Sequence, residues 1–484
     1  MKRQRDSSSS KDTDIDIRCQ MGNINSNDCY DEILQRNNNN GDDDLLSIRN
    51  SWLNERSPII QGDSNTNVSS NSSAKCPRSA TAKLQLKSLS QQLIQVKRRM
   101  WPAAEECAAA WETKPGEEFW NARDISNPME CLGQYGDRGL NQMFINRSAI
   151  KLANIDAVLD FKLTRLAHEE EKGRNFLFAD LCGAPGGFSE YLVKRFQSNE
   201  IRGSCRGYGM SLVGKNEHGK GCTWCLDDIY ENDNTSTFSI NYRVLYGYDG
   251  TGDIYNWDNV ISFQKEIEHD LQEAGIPSRK MNLVVADGGF DAQRDSECQE
   301  ELAQKLILHE FATALQLLDV DGTLVLKLFG CQTESIRMAM RSMFDLFNSL
   351  EMTKPISSRP ASSERYVILE GFKGLPAQWE GGQNWINNVL IGRCLQRDLS
   401  FYTSSVDHYL DQFDSDMLVL NLKACFAILS HLERKNAVKQ LCESYATNKC
   451  IKAAKFHLCL QHVGVDSPPQ PFALGLGIYD PVTQ

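Results

Sequence analysis

FLFADLCGAPGGFSEYLV, residues Phe176 to Val193, is an apolar run broken by one acid, a glycine-rich turn and then a helix-like stretch. Phe176–Asp180 has the length and composition of a buried strand. Gly183, Gly186 and Gly187 let the backbone approach a ligand where a Cβ would clash. The helix starting near Gly187 presents unsatisfied N–H groups to the same place. In an open parallel sheet, ligands bind outside the carboxyl ends of the strands, where Asp180 falls. Pro185 stiffens the turn and removes a donor. The turn is therefore not the G-x-G-x-x-G of a dinucleotide site, and it suits a less charged ligand such as S-adenosylmethionine.

Outward from this turn, strand and helix patterns alternate between about residues 147 and 373. Further strands are expected at Cys205–Met210, Val244–Tyr246, Leu283–Asp287, Thr323–Phe329 and Tyr366–Gly371. Helices are expected at Ser296–Leu318 and Glu334–Leu350. That alternation indicates an α/β fold with a mostly parallel sheet. Upstream, Leu86, Leu89, Leu93 and Val96 recur at helical spacing, next to the basic Lys97, Arg98 and Arg99. Residues 1–75, rich in Asn, Ser and Asp, bury too little apolar surface to offset chain entropy and are expected to be disordered. Residues 82–375 form the ligand-binding domain, with its core at 120–375. Residues 376–484 are expected to be a helical extension, with amphipathic helices at Asp407–Glu433 and Ala437–Ala453.

The net charge of −12 over 484 residues excludes a generally basic nucleic-acid coat, so any RNA contact needs a local patch. Sixteen scattered cysteines lack the spacing of a disulfide scaffold and point to a reducing compartment. No run reaches the roughly 18 apolar residues of a membrane span, so no membrane is expected. The opening MKRQR reads as a solvated tip or as a nuclear import signal.

The second strand ends in GYGMSL, without the acid that takes ribose hydroxyls in nucleoside sites. A carboxylate must come from elsewhere, and GYDGTGDIY supplies Asp253 beside Ile254, an acid and an apolar wall. Charge also falls on other element ends. Asp287 follows a buried run, Lys327 lies inside GTLVLKLFG, Glu364 opens the last strand and Lys151 sits on a helix upstream. A lysine in a Leu-Val-Phe strand is costly to bury unless it is paired or neutral. Two lysines and two acids beside such a cofactor suit methyl transfer to a sugar hydroxyl. A lysine that draws off the hydroxyl proton must be neutral, so the pKa of Lys327 is expected to fall, with Lys151 pushing it down and Asp287 limiting the change. Cys205, His218, Cys222 and Cys225 offer one C-x-x-C without a regular partner pair, a weak zinc signal, and no metal is expected.

FADLCGAPGGFSEYL, VVADGGFD, VLKLFG and KPISSRPASSERYVILEGFKG together resemble the ribose 2′-O-methyltransferases of the FtsJ/RrmJ type. NRSAIKLANID with SRPASSERY is most similar to the branch acting on capped mRNA. The resemblance spans about residues 120–375. It implies a Rossmann-like S-adenosylmethionine-dependent fold, a mostly parallel seven-stranded sheet with helices on both faces. It implies a catalytic set of Lys151, Asp287, Lys327 and Glu364. Lys327 would be the general base, Lys151 would hold the ribose oxygen, and the acids would orient the lysines. Asn146, Asp180, Cys182, Gly183, Ala184, Pro185, Gly186, Gly187, Phe188, Asp253 and Ile254 would hold the cofactor. Arg123 and Ser362 match positions that touch the capped RNA. The implied reaction is methylation of the 2′-OH of the first transcribed nucleotide of m7G-capped mRNA. The capped 5′ end would be the partner, along with the transcription and capping machinery, in the nucleus or also the cytoplasm. The neighbouring alternatives are the second cap nucleotide, or ribosomal or transfer RNA. From another class, an RNA-binding module that kept the fold but lost the chemistry is the alternative. Arg123, Arg147, Lys151, Lys327 and Arg359 are expected to build a basic cleft.

Overall fold

The computed structural model describes residues 60–61, 80–125, 144–159, 161–164, 175–198, 204–213, 223–225, 239–276, 280–289, 299–355, 357–376 and 400–433. Seven strands form the body of one mixed sheet: β2 (Asn175–Leu181), β3 (Ser204–Met210), β4 (Ser239–Val244), β5 (Met281–Ala286), β6 (Leu318–Leu328), β7 (Phe347–Thr353) and β8 (Arg365–Phe372). A two-residue edge strand, β1 (Ile60–Gln61), pairs antiparallel with β7, so the Asn/Ser tract contributes at least these residues to the sheet. The order is β1-β7-β8-β6-β5-β2-β3-β4. β2, β3 and β4 run parallel in one direction across the sheet, and the chain then returns to place β5 on the other side of β2. The strand order therefore reverses between β2 and β5, which opens a crevice at their carboxyl ends. β8 alone among the long strands is reversed, antiparallel to both β6 and β7.

Alternation along β2 shows why both faces are covered. Leu177, Ala179 and Leu181 join the core under α5 (Trp257–Glu273), α6 (Gln299–Leu317) and α7 (Glu334–Leu346). Phe176 and Phe178 point the other way, and the Phe176 ring lies 4.3 Å from Phe196 of α4 (Gly187–Ser198). α3 (Arg147–Val158) packs on α4. A strand buried on both faces reads as a continuous apolar run, which made β2 and β5 visible in the sequence.

Two elements differ from expectation. The strand expected at Val244–Tyr246 lies at Ser239–Val244. SINYRV alternates apolar and polar residues because β4 is an edge, so it lacks the apolar run. The helix expected at Glu334–Leu350 stops at Leu346, and Phe347–Thr353 is β7. Both segments mix apolar and polar residues and are adjacent, with no Gly or Pro between them, and pairing with β8 decides where the helix gives way.

α1 (Ala80–Trp111) leads into α2 (Pro115–Ile125), and α1 packs along α8 (Ser400–Glu433). Val406–Glu433 is long and apolar enough by composition to cross a membrane, but 56% of that window is buried within the protein. Three of its acids are paired to the body: Asp407 and Asp411 with Arg337, and Asp414 with Arg365. The helix expected at Ala437–Ala453 lies outside the described residues.

Candidate active site

Strand register assembles the charged set. Ala286 pairs with Leu326 across β5 and β6, so the next residues, Asp287 and Lys327, meet at the sheet's carboxyl edge. Lys327 Nζ donates to the Asp287 carbonyl at 2.6 Å and lies 3.0 Å from Asp287 Oδ1. Tyr366, opposite Lys327 on β8, donates its hydroxyl to Asp287 Oδ1 at 2.7 Å. Lys151 of α3 reaches Glu364 Oε2 at 2.8 Å, and Ser358 donates to the other oxygen at 2.8 Å. The structure thus brings together all four residues of the expected set, in two ion pairs that feel each other.

The charge states follow from burial and neighbours. Burial would push the Lys327 ammonium down in pKa, but Asp287, Glu364 and Glu310 outweigh it and hold the pKa above the ordinary lysine value. This corrects the expected fall: the acids around this amine stabilise its charged form by more than burial opposes it. Burial works against ionised Glu364 too, yet Lys151, Lys327 and Lys354 together hold it well below the usual carboxylate range.

The glycine turn meets the same edge. Asp180 accepts from Ser189 N at 3.2 Å and Ser189 Oγ at 2.6 Å, capping the start of α4. Its Oδ1 is buried without a partner, and burial lifts the carboxyl to about 7. A Cβ on Gly183 would overlap that carboxyl, and one on Gly187 would overlap the Asn146 side chain. Asn146 caps α3 by accepting from Ser148 N at 2.9 Å, which brings the start of the Lys151 helix onto the turn. Cys182 has φ of 55° and donates its N–H to Met210 O at 2.7 Å, tying the turn to the end of β3. Ala184, Pro185 and Gly186 complete the turn; Phe188 is buried, 6.1 Å from the Tyr366 ring.

The loop after β4 closes the other side. Val213 N donates to Thr251 O at 2.7 Å, and Gly252 packs so tightly on Ser211 that only glycine fits. Asp253 accepts from Tyr255 N at 2.9 Å, and Ile254 is buried. The acid and apolar wall that β3 lacks are therefore carried to its end. The glycine turn, the buried Asp180 Oδ1 without a partner and the Asp253-Ile254 loop fit S-adenosylmethionine, and these are the residues that would hold it.

The other expected residues are spread more widely. Arg147 Nη2 donates to Ser357 O at 2.9 Å, beside the Glu364 loop, and Arg359 is half-buried in that loop. Arg123 lies on α2, its guanidinium 3.7 Å over the Trp120 ring. The Ser362 hydroxyl accepts from Glu364 N at 3.2 Å, so it shapes the loop. Cys205 lies buried within β3, and Cys225 N donates to Pro185 O at 3.0 Å. His218 and Cys222 lie outside the described residues, and no metal-ligating cluster occurs among the described residues.

Sequence reasoning missed three groups here. Lys354 donates to Ser358 Oγ (3.1 Å), Ser362 O (2.9 Å) and Glu364 O (2.7 Å). Tyr366 was hidden among strand residues. Glu310 on α6 is buried beside the Cys182 thiol, and a Cβ on Gly288 would overlap it. A single acid inside the apolar LILHEFATAL was the available signal.

Residues 144–372 match the FtsJ-like methyltransferase family. The chain carries an FtsJ-like methyltransferase domain. Its relatives include cap-specific mRNA (nucleoside-2′-O-)-methyltransferase 1 of Danio rerio, 32% identical over 274 residues, covering 55% of this chain and 30% of the relative. The Homo sapiens protein of that name is 29% identical over 376 residues, covering 75% and 39%. The one from Dictyostelium discoideum is 30% identical over 274 residues, covering 54% and 33%. The matched part of this chain thus spans about a third of the length of these relatives. The FtsJ-like match encloses every residue of both ion pairs, of the glycine turn and of the Asp253-Ile254 loop.

Proposed function

We propose that this chain uses S-adenosylmethionine to methylate the ribose 2′-OH of the first transcribed nucleotide of m7G-capped mRNA. The observation that carries it is the convergence of Lys151–Glu364 and Lys327–Asp287 on the crevice beside the glycine turn. The names of the relatives support the capped substrate. S-adenosylmethionine, held by the glycine turn and the Asp253-Ile254 loop, would supply an electrophilic methyl group on a sulfonium whose neutral thioether is the leaving group. The protein's residues do the rest. Lys327 Nζ, once neutral, would take the proton of the attacking 2′-OH. Asp287 orients that amine and stabilises the ammonium it becomes. Lys151, fixed by Glu364, holds the ribose oxygen, so positioning supplies much of the rate. Arg123, Arg147, Arg359 and Ser362 belong to the RNA side of the proposal, and the transcription and capping machinery to its partners.

The test is methyl transfer to a short RNA with and without the cap, with the labelled position mapped. Label on the first nucleotide of capped RNA alone is expected; equal labelling of both RNAs removes the cap-specific reading. A nuclear location belongs to the same proposal, and a fluorescent fusion with and without Met1–Arg5 tests it.

A further inference from the structure

The loop that carries Glu364 is fastened from outside the methyltransferase match. Its inner bonds come from Lys354, from Arg147 to Ser357 O and from Ser357 N to Asn154 Oδ1 at 3.1 Å. Ser363 adds a bond to Gln299 of α6. The outer bonds come from α8, beyond residue 372 where the match ends. Asn421 Nδ2 donates to Pro360 O at 2.5 Å and to Ser362 O at 2.9 Å. Asp414, two turns earlier on α8, pairs with Arg365. These two ties grip the chain on either side of Glu364.

Asn421 is 1% exposed, on a helix that packs along α1. Burying an amide there is unfavourable unless its hydrogen bonds are met, and both of its bonds go to this loop. The connection to Glu364 is short. Ser362 O takes donors from Asn421 and Lys354, Ser362 Oγ takes Glu364 N, and Ser358 Oγ donates to Glu364 Oε1.

We infer that α8 is a positioning element for the methyl acceptor, with Asn421 holding the loop that fixes Glu364 and hence Lys151. This rests on the function proposed above for the Lys151–Glu364 pair. The cofactor cradle lies on the β2–β3–β4 side and shares none of these bonds, so the effect falls on RNA and not on the cofactor.

The experiment uses the full chain with Asn421→Leu, which keeps the volume and removes both donors, and Asn421→Ala, which guards against overpacking. Amide hydrogen exchange over residues 357–364 is expected to speed up in both. KM for capped RNA is expected to rise about tenfold, with a smaller fall in kcat and S-adenosylmethionine affinity within about twofold of the parent. Unchanged exchange over 357–364 overturns the inference. So does a parallel loss of RNA and cofactor affinity, which marks general damage. The exchange readout needs no substrate, so it judges the clamp even if the parent chain methylates no capped RNA, the result that sinks the functional reading instead.

Discussion

Lys327 is held as an ammonium by Asp287 and Glu364, yet the proposed chemistry needs it neutral. Its pKa is raised, so the neutral fraction grows only as pH climbs into the alkaline range. Methyl transfer should therefore rise with pH across and above neutrality in a pH–rate profile. Lys327→Arg, charged at every accessible pH, should lose about 10²-fold or more in kcat. A variant with full activity would remove the general-base role while leaving the enzyme assignment standing. Glu310 gives a second residue-scale prediction. Burial lifts its carboxyl from 4.5 to about 8, with Lys327 and the Cys182 thiol opposing and Asp287 adding to the rise. The folded state therefore favours the protonated form: that stability is complete below about 4.5 and is lost as pH rises through about 8. Glu310→Gln does not titrate. Its melting temperature relative to the parent should climb between pH 5 and pH 8.5, and a pH-independent difference would show that Glu310 is not the buried acid described.

At the scale of elements, the turn after β2 works because three of them meet where side chains are missing. Gly187 admits Asn146, the cap of α3, and Gly183 admits the Asp180 carboxyl, the cap of α4. Gly187→Ala should push Asn146 off the turn and rotate the helix that carries Lys151. Cofactor affinity, measured by calorimetry, should fall at least about tenfold while the far-UV spectrum stays unchanged, since helix start positions tolerate Ala. The glycines were legible as a ligand turn because they stand in one short stretch. Which side chain fills each gap was not, because Asn146 lies 41 positions before Gly187 (187 − 146) and only the packing of α3 on α4 brings it there.

For the whole molecule, the joint between α7 and α8 binds the extension to the methyltransferase body. The Arg337 side chain is wholly buried between Asp407 at 3.3 Å, Asp411 at 2.5 Å and Asp414 at 3.9 Å. Arg337→Met leaves Asp411 without that cation in a water-poor site. A loss of about 3–5 kcal/mol is expected in urea unfolding, and Arg337→Lys should recover part of it. An unchanged midpoint would mean that the joint is dispensable. The same joint explains how a stretch apolar enough for a membrane is accommodated: α1 packs along it, α7 pairs Asp407 and Asp411, and Arg365 of β8 pairs Asp414.

The sequence by itself determined the βα alternation, the glycine turn and the four charged residues. Each is written locally, as a buried strand's apolar run, a run of glycines or a charge stranded at an element end. Tertiary structure alone decided where β4 runs and that β7 is a strand, that Lys327 is held charged, and that Lys354, Glu310 and Asn421 stand around the site. The reason is physical. Edge strands and strand–helix boundaries are set by the neighbour they pair with, a pKa is set by charges from distant parts of the chain, and a buried amide has meaning only once its acceptors are in place.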